Sequence, residues 1–210
     1  MAQRLVFLGP PGAGKGTQAS RIARELGIPH LSTGDLLRHA AREGTALGKE
    51  AEQHMRAGRL VPDDLVLSIL VERIGQPDCR YGFLLDGFPR NVAQAEALDR
   101  IAPIDRVVAF RIPEGLLVER LTQRRVCSKC GTGYNIATSP PQVVGRCDRD
   151  GELLIQRSDD TEAAVRTRLK VYHEETAPLL VFYQGRQKLV EVDAAGPPDD
   201  VAVRMRRAVT

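Results

Sequence analysis

Long apolar runs are missing from this chain of 210 residues: no stretch of 18 consecutive apolar residues occurs, which excludes a membrane-spanning helix. No signal peptide is expected either, because Met1-Ala2-Gln3-Arg4 leads straight into the short apolar run Leu5 to Leu8. The expectation is a cytoplasmic protein with no membrane partner. Repeats and low-complexity segments are absent, which leaves no sign of a solenoid or a biased tail. Neither sign of charge dominates: 30 basic and 27 acidic residues give +3, too little to imply nucleic acid by itself. Lysine is scarce, only five of those 30, so the positive charge is mostly arginine. Arginine's planar fork suits phosphate, but a compositional bias explains the number equally well, and position has to decide. Cysteine is limited to four residues, which in a cytosolic chain point to a metal or free thiols rather than disulfides. Hydrophobic content of 42% is ordinary, and the length suits one domain with insertions.

What is present begins with Gly9-Pro10-Pro11-Gly12-Ala13-Gly14-Lys15-Gly16-Thr17, an apolar run feeding a glycine loop and a polar helix start. Glycines let successive N–H groups turn inward as a nest for phosphate oxygens. The following helix points its positive end at the nest, and Lys15 adds a full charge. The spacing Gly9-x4-Gly14-Lys15 is that of a P-loop, with one departure: Gly16 stands where most P-loops carry Ser or Thr, and the hydroxyl comes at Thr17.

The rest of the chain alternates helical and strand patterns. Helix residues 19 to 26 stop at Gly27, and a short strand is expected over 28–31. Two short polar helices should fill 32–61, an excursion able to move as a unit. A helix follows from Pro62 to about Ile74, then strand Phe83–Asp86, helix Ala93–Arg100, strand Arg106–Phe110 and helix Glu114–Arg125. A long helical pattern covers Thr161–Tyr183, with Pro178 as its kink; strand Leu189–Val192 and a helix from about Pro198 complete the chain. Such alternation predicts an α/β protein, a parallel sheet covered on both faces.

Between two core helices lies Cys127-x2-Cys130-x16-Cys147-x2-Asp150, both halves ending in glycine. This reads as paired zinc knuckles with Asp150 in the fourth place; Cys3Asp is a sound tetrahedral set, and a filled set is structural. Asp148 competes for that place with a spacing that breaks the repeat, and a chance cluster or labile disulfide is the bland alternative. Cys79 is isolated, and His30, His39, His54 and His173 show no ligand spacing. Arg38, Arg90, Arg124, Arg157 and Arg168 stand near glycines, helix ends or the insert's boundary, with Arg120 and Arg124 expected on one helix face. α/β sheets bind ligands at the carboxyl edge, which raises the interest of these positions. Asp86, closing an apolar strand, is the natural carboxylate to anchor Mg2+ through water. No nucleophile–base pair is evident. None is needed if the acceptor is itself a phosphate, already ionised, so that alignment and cations suffice.

Together these blocks resemble the long-lid bacterial adenylate kinases, from end to end. The variant P-loop, Ser32-Thr-Gly-Asp35, Leu84-Leu-Asp-Gly-Phe-Pro-Arg90 with Gln94, Gln123-Arg-Arg125 (where that family often has Gly first), Arg157-x-Asp-Asp160 and Arg168 all match, and zinc-containing members carry this lid spacing. The resemblance implies a nucleoside-monophosphate-kinase fold with a five-stranded parallel sheet. Its core would be 1–31, 62–122 and 161–210, with an AMP-binding insert at 32–61 and a lid at 123–160 holding structural Zn2+ on Cys127, Cys130, Cys147 and Asp150. It implies ATP + AMP = 2 ADP with Mg2+. ATP would meet Gly12, Ala13, Gly14, Lys15, Gly16 and Thr17, with Arg124, Gly133, Tyr134 and the backbone at Gly196. AMP would meet Thr33, Arg38, Arg59, Leu60, Val61, Gly87, Phe88, Pro89, Arg90 and Gln94. Arg157 and Arg168 would bridge toward the phosphates, oriented by Asp159 and Asp160, while Lys15, Arg90, Arg124, Arg157 and Arg168 would carry catalysis. The partners would be ATP, AMP and ADP alone, with no nucleic acid, and the protein a monomer. Two alternatives share part of the signature. One is a nucleoside monophosphate kinase for UMP or CMP, or with GTP as donor. The other is a zinc-ribbon nucleic-acid-binding ATPase, against which stands Tyr134 as the insert's sole aromatic.

Overall fold

A computed structural model describes residues 3–210; Met1 and Ala2, assigned above to the core, lie outside the described residues. In chain order the elements are β1 (Gln3–Leu8), α1 (Lys15–Leu26), β2 (His30–Ser32), α2 (Thr33–Arg42), α3 (Ala46–Arg56), α4 (Asp63–Ile74), a 3-10 turn (Pro77–Tyr81), β3 (Gly82–Asp86), α5 (Val92–Ile101), β4 (Arg106–Arg111) and α6 (Gly115–Thr122). Then come β5 (Arg124–Cys127), β6 (Gly133–Asn135), β7 (Leu154–Ile155), α7 (Glu162–Val171), a π turn (Tyr172–Thr176), α8 (Pro178–Gly185), β8 (Leu189–Asp193) and α9 (Pro198–Val209).

The main sheet runs β2-β3-β1-β4-β8, all parallel. Along β1, successive side chains point to opposite faces, and both faces are buried. Val6 and Leu8 join Leu85 and Val107 in one core beneath α4, α5 and α8. Leu5 and Phe7 join Leu84, Val108 and Phe110 in the other, beneath α1 and α9. Since β1 has β3 on one side and β4 on the other, the chain switches direction there. A crevice opens at the carboxyl end of β1, where the glycine loop stands.

Two excursions leave this core. Helices α2 and α3 form a hairpin, each start capped by a hydroxyl: Ser32 Oγ accepts from Asp35 N–H at 3.2 Å and Thr45 Oγ1 from Gly48 N–H at 3.0 Å. The second is a small antiparallel sheet, β6-β5-β7, where Cys127, Tyr134 and Cys147 form a small cluster with Leu154 packed against them.

Three expected spans shift. The second strand begins at His30 rather than 28, since Pro29 has no N–H to give a ladder, though its carbonyl accepts from Leu84 at 2.9 Å. The helix expected over Glu114–Arg125 ends at Thr122, whose hydroxyl turns back to the Val118 carbonyl at 3.0 Å. Arg124 therefore opens β5 and pairs with Asn135, so Arg120 and Arg124 do not share a helix face. The 161–183 pattern is two helices around the π turn, because Pro178 cannot donate and the turn before it widens. Among the described residues no helix is long and apolar enough to cross a membrane.

Candidate active site

The glycine loop wraps the amino end of α1. Gly12, at φ 87°, faces α6: a Cβ would meet the Leu117 carbonyl and the Leu121 side chain, both at 3.1 Å, so backbone freedom and close approach both require glycine. Gly16 explains the departure from the usual P-loop. A Cβ there would stand 3.3 Å from Asp86 Oδ2, so a side chain would crowd the carboxylate that closes β3. Lys15 folds back over its own loop, donating to the carbonyls of Gly9 at 2.7 Å and Pro10 at 2.9 Å. Burial lowers its pKa from 10.5 to about 8, with Arg90, Arg168 and Arg124 adding to the effect and Asp86 opposing it.

The five arginines come from five different segments: Arg90, Arg124 and Arg168 lie near that lysine, Arg38 lies near Arg90, and Arg157 near Arg124 and Arg38. Arg124 makes a two-pronged bond to Asp160, Nε to Oδ2 at 2.8 Å and Nη2 to Oδ1 at 2.5 Å. Arg168 on α7 reaches Asp159 at 3.0 Å and Asp160 at 3.1 Å. Arg38 on α2 pairs with Asp35 at 2.5 Å, and Arg157, from beyond β7, reaches the same Asp35 at 3.5 Å, so the two excursions meet over the crevice. Burial, then the neighbouring Arg168, pushes Arg90 down to about 10; burial, then Arg124 and Arg38, does the same to Arg157. Six cations (Lys15 and five arginines) face four carboxylates: Asp35, Asp86, Asp159 and Asp160. Arg157 Nε is buried without a hydrogen-bond partner among the described residues. A buried N–H of that kind is costly, and the surplus charge calls for an anion to fill the crevice.

Arg90 sits in a braced loop. Its N–H donates to Gln94 Oε1 at 2.7 Å and its Nε to the Gly87 carbonyl at 2.8 Å, next to a cis Phe88-Pro89 bond. Gln94 in turn donates to Asp63 Oδ1 at 2.6 Å, and Asn91, the cap of α5, donates to the same carboxylate. Asp63 was legible only as an acid at a helix start; its role as the base of this brace depends on α4 and α5 packing together. His30, which shows no ligand spacing in the sequence, lies with Nε2 3.6 Å from Asp86 Oδ2; the β2–β3 ladder sets Ser32 opposite Asp86 and His30 two residues before it. Burial opposes ionisation of Asp86, yet His30 and Lys15 outweigh it and hold the carboxyl below its usual range.

The remaining expected residues are distributed over several elements. Thr33 is buried at the start of α2, its hydroxyl donating to the Asp86 carbonyl at 3.4 Å. Arg59 and Leu60 lie in the link after α3, and Val61 is buried in the core. Gly133 is exposed on β6, while Tyr134 turns inward, its hydroxyl donating to Cys147 Sγ at 3.5 Å and accepting from Asp148 N–H at 2.8 Å. Its ring thus serves the insert's interior. Gly196 has φ 95°, in a turn clamped by Arg204 Nη2 on the Ala195 carbonyl at 3.0 Å.

Cys127, Cys130, Cys147 and Asp150 place their ligand atoms within 4.8 Å of one another, a group that could hold a metal ion. The Cys130 and Cys147 sulfurs are 3.6 Å apart, and tetrahedral zinc with bonds of about 2.3 Å puts sulfurs about 3.8 Å apart, so the set fits. Hydrogen bonding from the Cys130 thiol holds the Asp150 carboxyl at about 2, an ionised ligand. Asp148, the competing candidate, is engaged elsewhere, accepting from Gln142 N–H at 2.8 Å.

Comparison with known proteins agrees with this geometry. The family model described as Adenylate kinase matches residues 7–188. An adenylate kinase of Moorella thermoacetica is 53% identical over 211 residues, covering 98% of this chain and 97% of that relative. One of Bacillus subtilis is 50% identical over 202 residues, with 94% and 93% covered, and one of Archaeoglobus fulgidus is 50% identical over 194 residues, with 90% and 89% covered. With the P-loop, the arginine crevice and the sheet order already in place, these matches over nearly the whole length mean that the chain belongs to the adenylate kinase family.

Proposed function

We propose that this chain moves the terminal phosphoryl group of ATP reversibly onto AMP, giving two ADP, in the crevice at the carboxyl end of β1. The observation that carries this reading is the surplus of buried cations, Arg157 Nε unpartnered among them, around a P-loop. One nucleotide's phosphates fit the loop at residues 12–17 with Lys15. The second nucleotide's phosphate fits the arginines beyond it, Arg38 and Arg90, on the side of the α2–α3 hairpin.

In this reading Lys15 leaves the Gly9 and Pro10 carbonyls for the transferring phosphoryl group, and Arg90, Arg124, Arg157 and Arg168 neutralise charge as it spreads over the equatorial oxygens. Asp159 and Asp160 hold the Arg124 and Arg168 guanidiniums in place beforehand. Asp86 would hold Mg2+ through water, which adds positive charge at the phosphates when ATP is bound. No residue removes a proton, because the acceptor phosphate is ionised at neutral pH. Gly133, the Tyr134 backbone and Gly196 would border the ATP side; Thr33, residues 59–61, Gly87–Pro89 and Gln94 would border the AMP side. The core is 1–31, 62–122 and 161–210, the AMP-binding insert 32–61 and the lid 123–160. Water competes with AMP as acceptor, so the excursions must close before transfer. A cytoplasmic monomer working on ATP, AMP and ADP completes the reading, with no nucleic acid or membrane partner.

A panel of acceptors and donors tests it. AMP with ATP should be used with far higher kcat/KM than UMP or CMP, or than GTP as donor; equal use of a pyrimidine acceptor would contradict the assignment. The Cys3Asp group is read as a structural zinc site. Chelation should therefore lower the melting temperature while the initial rate at room temperature falls much less; immediate total loss of activity with the fold intact would refute a purely structural metal.

A further inference from the structure

The helical unit that carries Arg168 also touches Arg90, through a residue with no part in the scheme above. Pro178 lacks an N–H and its ring crowds the carbonyl one turn back, so the helix widens and the Ala177 N–H reaches the Tyr172 carbonyl at 2.8 Å. In that widened turn the Thr176 hydroxyl donates to the Arg90 carbonyl at 2.7 Å, in a part-buried setting. The Arg90 main chain is thereby held at both ends, by Gln94 Oε1 on its N–H and by Thr176 on its carbonyl. Thr176 lies about two turns beyond Arg168 on the same continuous unit. Two guanidiniums that repel each other cannot fix their own separation, so some contact between their segments has to.

We propose that Thr176 is a positioning residue: its hydroxyl pins the Arg90 backbone to the unit bearing Arg168, so that the two guanidiniums meet the phosphates as one preset pair. The inference deepens the proposed function and rests on its reading of Arg90 as a phosphate-holding group. The π turn is then the means by which a helix end reaches a loop carbonyl that a regular α-helix would leave unbonded.

Three variants separate the possibilities. Thr176→Val keeps the shape and removes the donor; Thr176→Ser keeps the donor and removes the methyl; Arg90→Ala reports on the guanidinium itself. Thr176→Val should lower kcat by roughly ten- to a hundredfold, as small misplacements at such sites do, and raise KM for AMP more than KM for ATP. Thr176→Ser should restore most of both. A merely structural role would lower the melting temperature of Thr176→Val and leave kcat and the ratio of the two KM values unchanged; that result would overturn the proposal, as would a serine variant as impaired as valine. If Arg90→Ala itself keeps normal kinetics, the reading of Arg90 fails and the proposal with it. If Arg90→Ala is crippled and Thr176→Val is not, only the role of Thr176 fails.

Discussion

Lys15→Met is expected to turn over at least roughly a hundred- to a thousandfold more slowly than the parent chain while staying folded, the scale seen when a single transition-state donor is removed. Methionine keeps most of the length and the apolar stem of the side chain and deletes the ammonium, with its charge and its hydrogen bonds to the Gly9 and Pro10 carbonyls. The fold should not suffer, because the ammonium is held at a cost. Its pKa falls from 10.5 to about 8, burial first, and a lowered pKa in a basic group means that the folded state binds its proton less readily than the unfolded chain. Between about pH 8 and 10.5 the unfolded chain holds more protons at this site, so stability from this group rises with pH across that window. Below about 8 the penalty is present in full. Substitution removes the penalty, and the variant's melting temperature at pH 7 should match or exceed the parent's. The same pKa predicts that kcat/KM for ATP, which reports the free enzyme, declines as pH rises through about 8, a limb that Lys15→Met should lack. Near-normal turnover of Lys15→Met would remove the lysine from the mechanism.

Asp160→Asn should have the opposite balance, a large loss of stability together with a loss of rate. Asp160 is fully buried and is the shared counter-ion of Arg124, at 2.5 and 2.8 Å, and Arg168, at 3.1 Å. Taking away one partner of a buried ion pair leaves uncompensated charge, costing about 3 kcal/mol here, since both arginines keep some exposure. For a chain of this size that corresponds to roughly 6–12 °C in melting temperature. Thermal melts check the figure directly. Saturating ADP should narrow the gap between variant and parent, because its phosphates supply the missing negative charge. A gap that does not change with ADP would mean that Asp160 supports only the fold and that these two arginines do not face phosphate.

How much of this was legible beforehand divides along the range of the interactions. The glycine loop could be read because all its parts are adjacent: an apolar run, glycines for the nest, and Lys15 at a helix start. The metal group was readable for the same reason, two short repeats with glycine after each. The brace beneath Arg90 was not, because Asp63 stands far along the chain from Gln94 and only the packing of α4 against α5 brings them to 2.6 Å. The pairing of His30 with Asp86 depends on the register of β2 against β3, which no local pattern records. The end of α6 was misplaced because helical periodicity continues through Arg124, whereas pairing with Asn135 across β5 and β6 decides the matter. The π turn could be read as a kink at Pro178, but its consequence, the Thr176 hydroxyl on Arg90, could not.

The cationic crevice suits two nucleotides and not one. Product stoichiometry with ATP, AMP and Mg2+ tests it most directly. ATP and AMP should disappear one for one, two ADP should appear for each pair, and ATP alone should be left essentially intact. Inorganic phosphate released from ATP at the same rate with or without AMP would contradict it.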